Sequence, residues 1–221
     1  MHLLYSFCHF IGHDQVPHLH LHWAAVALVF GFAHSFEPDH LVAVGNIVSQ
    51  RQRLWSAARD GLFWGLGHSA TLLLIGVAVL FIYHTVHEPL FEMLEGLVGL
   101  TLVGLGIMRL YQLHGGGGQP THQHVPNRLA FGVGLIHGLA GSGSLLIGLL
   151  TQMETTFSGF LYLLLFGLGS IGGMLSAAWL FSQMVHWPRL QQGPMRRLLP
   201  RLTALACFGL GVYIAWKHFL M

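Results

Sequence analysis

Residues 34–40 read HSFEPDH, so two histidines, a glutamate and an aspartate fall within seven consecutive positions. This segment interrupts an apolar run at 22–49 that is otherwise long enough to span a membrane. An aspartate at the bilayer centre costs about 2.5–3.5 kcal/mol on insertion scales, and Pro38 disrupts the hydrogen bonding of a helix. Polar, non-helical backbone is tolerated at that depth only when it is buried in protein or lines a wet cavity. We therefore expect a helix break that lets His34, Asp39 and His40 face one point.

Two further histidines lie in apolar segments that would bring them to the same depth. His68 belongs to GLGHS, and His137 begins HGLAGSGS. Imidazole and carboxylate groups together suit a divalent first-row metal ion such as Ni²⁺, Co²⁺, Fe²⁺ or Zn²⁺. For His137 a helix-to-helix hydrogen bond is an equal alternative, and HSFEPDH could instead be a short aqueous loop. The predicted metal ligands are His34, Glu37, Asp39, His40, His68 and His137.

The N-terminal segment 1–21 is a separate histidine-rich region. It carries His2, whose imidazole could chelate a metal together with a free terminal amine, and it continues into the alternating run HLHLH. In an extended chain the three imidazoles of that run would face one side. His2 is thus an outlying candidate ligand, and an interfacial stub or loose tail is the alternative. No signal-peptide pattern is present, so we expect the segment to be retained.

The composition requires a membrane environment. Of 221 residues, 53% are hydrophobic and 8% are charged, whereas a soluble domain carries about 25% charged residues. The formal charge of +2, from dispersed basic residues, argues against nucleic acid as a partner. The only cysteines, Cys8 and Cys207, form no disulfide or zinc-ribbon pattern. The expected class is an all-α integral membrane protein.

Apolar stretches of about 20 residues predict six transmembrane helices, the first of them broken at HSFEPDH. The expected spans are 22–49, 60–83, 89–112, 128–151, 157–185 and 197–219.

The two halves of the chain resemble each other at offsets of 102 to 105 residues. GFAHSFEPDHL aligns with GLIHGLAGSGS, and FWGLGHSATLLL aligns with LFGLGSIGGMLS. A unit of three spans is odd, so its copy must be inverted in the membrane, as in many transporters; an ordinary duplicated bundle is the alternative. The predicted organisation is a first three-helix repeat at 22–112, a Gly/His-rich cytoplasmic linker at 113–127 and a second three-helix repeat at 128–221.

Basic residues predict the orientation of this bundle. All but one of them flank the same set of loops, and Lys217 is the exception. Loops rich in Lys and Arg stay in the cytoplasm. Both termini should therefore lie on the outer side of the cell membrane, that is, the inner or plasma membrane. The residues that define the cytoplasmic side are Arg51, Arg53, Arg59, Arg109, Arg128, Arg189, Arg196, Arg197 and Arg201.

These motifs resemble the nickel/cobalt transporter superfamily, particularly its six-span urease-accessory (UreH)-like branch. The family pattern of a histidine, four residues and an Asp-His pair corresponds to His34, Asp39 and His40, and its Gly-His-Ser/Thr motif corresponds to Gly67–Ser69. The segment 137–144 is similar to the matching segment of the UreH-like branch. The resemblance implies that the first two motifs select and carry the metal. The larger permeases of the family differ in having Ala-Asp where this chain has Pro38-Asp39, and in having eight spans.

The sequence therefore favours a secondary transporter, not an enzyme, that moves a divalent ion by alternating access through a midplane His/Asp site. Ni²⁺ is the first candidate substrate, followed by Co²⁺ and Fe²⁺, and no tightly bound cofactor is expected. Besides the ion and the lipid bilayer, a metallochaperone or a second copy of the chain is a candidate partner. Two alternatives use the same histidines: a membrane metalloenzyme with Glu37 as base, and a haem-binding membrane protein.

Overall fold

The computed structural model describes residues 19–49, 51, 53–81, 88–114, 127–140, 155–187 and 195–220. Within these ranges every regular element is an α-helix, which confirms the predicted all-α class. The helices are α1 (Leu19–His34), α2 (Pro38–Val48), α3 (Leu54–Phe81), α4 (Glu88–His114), α5 (Asn127–Ala140), α6 (Thr156–Val185) and α7 (Met195–Leu220).

Four of these helices, α3, α4, α6 and α7, are long and apolar enough to cross a membrane. Their outer faces expose large apolar side chains, including Leu74 on α3 and Tyr111 on α4, as expected for contact with lipid. The chain is therefore a membrane protein. The predicted first span is divided between α1 and α2. The second half of the predicted fourth span lies outside the described residues, so the number of six spans stays a prediction.

The helix break occurs where the sequence predicts it. Helix α1 ends at His34, and the turn that follows is closed by hydrogen bonds from the Phe36 amide to the Ala33 carbonyl and from the Glu37 amide to the His34 carbonyl, both 3.0 Å. Glu37 has extended backbone angles, and Pro38 is the first residue of α2. A proline is favourable at that position because the first helical residue needs no amide donor. The break is therefore a short turn between two helices.

Backbone-to-backbone contacts at glycines position α5 against α3. Gly134 and Gly138 of α5 face the backbone of α3 so closely that a Cβ atom on either would collide with a carbonyl oxygen, that of Trp64 or His68 respectively. Small residues at a fourfold spacing allow such approaches between membrane helices. The contact fixes the height of His68 relative to α5.

The contact between α1 and α6 repeats this arrangement. Gly31 of α1 meets the Phe166 carbonyl of α6 just as Gly134 of α5 meets the Trp64 carbonyl of α3. The paired residues are separated by 103 and 102 positions in the sequence. A second matched pair, at the same offsets, joins Gly169 to Leu28 and Gly67 to Phe131.

A buried ion pair joins the end of α2 to α3. Arg51 contacts the Asp60 carboxylate through both Nε and Nη2, and the Nη2–Oδ1 distance is 2.6 Å. Both side chains are nearly inaccessible to solvent. Two parallel hydrogen bonds restrict the geometry more than a single contact does, so the pair orients α2 relative to α3.

Candidate metal centre

Three buried imidazole rings converge at the helix break. His34 is the last residue of α1, His40 lies in the first turn of α2, and His68 lies in the middle of α3. Their ring centroids are 4.7 Å (His34–His40), 5.3 Å (His34–His68) and 5.2 Å (His40–His68) apart. One nitrogen from each ring lies within 4.8 Å of the others. Metal–nitrogen bonds of about 2.0–2.1 Å allow two ligands of one ion to be at most about 4.2 Å apart, so a small inward movement would complete the site.

Carboxylates fix which nitrogen of two of these rings is available. Nδ1 of His34 lies 2.9 Å from Glu37 Oε1, and Nδ1 of His40 lies 3.0 Å from Asp39 Oδ1. An ionised carboxylate can only accept a hydrogen bond, so in the neutral form of each ring Nδ1 carries the proton and Nε2 keeps its lone pair. Both Nε2 atoms are buried and have no hydrogen-bond partner among the described residues. Metal-ligating histidines usually have this arrangement.

His68 differs from these two rings because no hydrogen bond to a described residue determines which of its nitrogens carries the proton. The side chain is fully buried, and neither Nδ1 nor Nε2 has a hydrogen-bond partner within the described ranges. Leaving a buried polar atom unsatisfied costs about 1–3 kcal/mol. An ion coordinated by His68 would remove part of that cost. If His68 had only a structural role, nothing would offset the cost.

Two carboxylates line the more accessible side of the imidazole cluster. Side-chain atoms of Glu37, Asp39 and His40 also lie within 4.8 Å of one another. The Glu37 side chain is 40% exposed and that of Asp39 is 16% exposed, whereas His40 is inaccessible. Two acidic side chains therefore adjoin the buried imidazoles on their less buried side.

His137 is buried beside this cluster. Its ring lies edge-on to His40 at 5.5 Å and to Trp64 at 5.1 Å. Its Nδ1 donates to the Val133 carbonyl at 3.0 Å, and its Nε2 has no partner in the part of the chain that is described. His137 is not in the close three-histidine group formed by the described residues. His2 lies outside the described residues.

Two side chains near the cluster have positions that the sequence did not predict: Trp64, whose ring lies 6.5 Å from His40 and 5.1 Å from His137, and Ser170. Trp64 is buried, and its indole Nε1 has no hydrogen-bond partner among the residues described. It precedes His68 by one helical turn, and that spacing was the available signal. Ser170, which aligns with His68 in the second half, donates to the Gly31 carbonyl at 3.2 Å. It holds α6 against α1 and does not take part in the imidazole cluster.

Comparison with known proteins identifies the family. The NicO family, described as high-affinity nickel-transport protein, matches residues 20–112. The urease accessory protein UreH of Bacillus sp. (strain TB-90) is 35% identical over 181 residues, which cover 74% of this chain and 76% of UreH. The chain belongs to the UreH-like branch of the nickel/cobalt transporter superfamily. This family consists of transporters, which confirms that the chain is not an enzyme. No solved structure matches the chain.

The NicO match and the three-histidine cluster coincide in this UreH-like chain. Residues 20–112 include His34, His40 and His68 together with both carboxylates, whereas His137 lies beyond the matched range. The part of the chain that resembles the nickel-transport family therefore contains the whole close group of imidazoles.

Proposed function

We propose that this chain is a secondary transporter of a divalent transition-metal ion, with Ni²⁺ as the preferred substrate and Co²⁺ and Fe²⁺ as the next candidates. The observation that carries the proposal is the buried group of His34, His40 and His68, whose Nε2 atoms and His68 Nδ1 have no hydrogen-bond partner among the described residues. The description of NicO as a nickel-transport protein and the relation to a urease accessory protein support nickel.

The chemistry of the donor set supports a first-row transition metal. Imidazole nitrogens suit nickel, iron and zinc, whereas Mg²⁺ and Ca²⁺ prefer shells of oxygen ligands. Cys207, the cysteine within the described residues, is buried where its thiol contacts the Leu102 carbonyl, so it supplies no soft ligand to the cluster. Glu37 and Asp39 offset part of the ion's charge from the accessible side.

The two alternatives account for this geometry less well. Ring centroids 4.7–5.5 Å apart leave no space for a porphyrin between any two of the neighbouring imidazoles, which disfavours haem. Glu37, the candidate base of a metalloenzyme, is engaged by His34 Nδ1 at 2.9 Å. Glu37 is therefore better placed to orient the His34 ring than to accept a proton from a water molecule.

We further infer that the ion moves by alternating access between two inverted three-helix repeats, with the site near the membrane midplane. The matched glycine contacts of α1 with α6 and of α5 with α3 support a repeat. In this mechanism one repeat rocks against the other and exposes the site first to one side, then to the other. The driving energy would come from an ion gradient or the membrane potential.

Uptake of Ni²⁺ into proteoliposomes tests the function. Co²⁺, Fe²⁺ and Mg²⁺ would be added as competitors, and we expect the first two to inhibit and Mg²⁺ to have little effect. His68→Ala should abolish uptake without loss of the folded protein. His114→Ala is the matched control because His114 is exposed at the end of α4, where its Nδ1 bonds to the Leu110 carbonyl. Wild-type accumulation by the His68→Ala protein would refute the assignment.

A further inference from the structure

Within the described residues, His137 has a free Nε2 atom like those of His34 and His40, but it lies outside the close group of His34, His40 and His68. Its Nδ1 proton is donated to the Val133 carbonyl, so Nε2 keeps a lone pair, as it does in His34 and His40. The side chain is fully buried, and Nε2 has no hydrogen-bond partner among the described side chains and backbone. A helix-to-helix hydrogen bond, the structural alternative for this residue, would occupy Nε2.

The surroundings of His137 repeat those of His34. His34 lies beside the Phe166 ring, with centroids 5.6 Å apart, and His137 lies beside the Trp64 ring at 5.1 Å. The two histidines are 103 positions apart in the sequence, and the two aromatic residues are 102 positions apart. These are the same offsets as those of the matched glycine contacts. His34 and His137 are therefore equivalent in the two halves.

His40 and His68 have no imidazole equivalent in the second half. His40 lies between the two matched histidines, and His68 lies against the helix that carries His137. The His40 ring is 4.7 Å from that of His34 and 5.5 Å from that of His137. His68 is adjacent to α5 because Gly134 and Gly138 contact its backbone. Neither ring nitrogen of His68 has a hydrogen-bond partner within the described residues, so whichever nitrogen carries the lone pair can bind an ion.

We propose that His137 is the alternate ligand of the transported divalent ion. His34, His40 and His68 hold the ion in the conformation described, and His137 replaces His34 when the repeats exchange conformations. His40 and His68 remain bound throughout, so the ion keeps two imidazole ligands as it moves within the bundle. This inference rests on the proposed transport function and adds a second ion position to it.

This exchange of His34 for His137 as a ligand, called the hand-off below, predicts that single substitutions affect binding and transport differently. His34→Ala and His137→Ala each leave one complete ligand set, so each should weaken equilibrium Ni²⁺ binding by less than about tenfold. His40→Ala and His68→Ala instead remove a ligand that both sets share. Each of these two variants should weaken binding by about 10–100-fold or more. The double variant His34→Ala/His137→Ala should lose binding as severely. All of these variants should lose Ni²⁺ uptake into proteoliposomes.

A thiolate at position 137 separates a ligand from a structural residue. His137→Cys retains a metal ligand of softer character, so transport should persist with its preference shifted from Ni²⁺ toward Zn²⁺. A purely structural role would not change ion preference. If His137→Ala does not yield a monodisperse protein on size-exclusion chromatography, His137→Gln serves as the variant because it keeps a polar side chain of similar size.

Two results would overturn the hand-off. Wild-type uptake by the position-137 variant would show that the residue is not needed, and loss of binding as severe as in His68→Ala would place all four histidines in a single site. Absence of Ni²⁺ uptake by proteoliposomes that contain the wild-type protein would instead refute the transport function itself. The two failures are therefore distinguishable.

Discussion

For a single histidine, the decisive property is which ring nitrogen carries the proton. In His34 and His40 a neighbouring carboxylate accepts the Nδ1 hydrogen, and in His137 the Val133 carbonyl does so. Each acceptor leaves Nε2 as the atom with the lone pair. In the proposed site Glu37 and Asp39 would act on the ion in two ways, through their charge and through the tautomer that they impose on the adjacent imidazole.

The tautomer argument predicts graded effects at Glu37. Glu37→Ala removes the acceptor for His34 Nδ1 and should weaken Ni²⁺ affinity by no more than His34→Ala does, that is by less than about tenfold. Glu37→Gln should lose less, because its amide oxygen can still accept the same hydrogen bond. Titration of the detergent-solubilised protein against a chromophoric chelator measures both constants. Glu92→Ala, at an exposed position on α4, is the control, and equal losses for the Ala and Gln variants would contradict the argument.

Proton competition predicts the pH dependence of binding. A protonated imidazole cannot coordinate a metal, so Ni²⁺ affinity should decrease as the pH falls and increase as it rises. The slope should approach about tenfold per pH unit for each imidazole that must lose a proton. Calorimetric titrations between about pH 8 and about pH 5.5 measure it, with His114→Ala expected to follow the wild-type curve. A Ni²⁺ affinity that increases as the pH falls would exclude imidazole ligands.

For whole helices, the break at Pro38 and the glycine contacts determine where the imidazoles meet. The turn at 35–37 places His34 and His40 at the facing ends of two helices. The glycines of α5 then bring the backbone of that helix against His68. Neither feature contributes a metal ligand, yet both determine the distances between ligands.

Replacing a glycine of α5 with alanine tests whether helix packing determines the distances between the proposed ligands. Gly138→Ala would force the Cβ atom into the His68 carbonyl oxygen, so α5 and α3 must separate. We expect a lower thermal stability in detergent and a weaker Ni²⁺ affinity, although no ligand is changed. Gly132→Ala is the matched control on the same helix, because nothing lies within 4 Å of its Cβ position. Its stability should stay within about 0.5 kcal/mol of wild type, and equal behaviour of the two variants would contradict the packing argument.

The sequence was sufficient to predict the break and the approach of three histidines. Pro38 has no amide hydrogen to donate to the His34 carbonyl, so a helix through both residues is interrupted. Polar residues at membrane depth must be buried within the protein, and His34, His40 and His68 were therefore expected to lie together. The separation of His137 from that group could not be predicted, since it depends on the rotation of α5 about its axis. The position of Trp64 beside His40 and His137 was not predicted, because an indole in an apolar span looks like an ordinary packing residue.

For the whole molecule, the predicted orientation and the six-span topology can be tested by chemical labelling. In a Cys8→Ser background, Arg53→Cys and Trp187→Cys should react with a membrane-impermeant maleimide only from the cytoplasmic side. Glu92→Cys and Phe157→Cys should react only from outside. All four positions are exposed, whereas Cys207 is buried and should stay unlabelled. Labelling of Arg53→Cys and Phe157→Cys from the same side would rule out this topology.

The proposal that His34, His40 and His68 bind the transported ion is tested most directly by locating nickel in the protein. Crystals of the full chain grown with Ni²⁺ would be measured on both sides of the nickel absorption edge. We predict an anomalous peak about 2.1 Å from ring nitrogens of all three histidines, and no peak there in His68→Ala crystals. Nickel bound only elsewhere, for instance at the N-terminal histidines, would contradict the account.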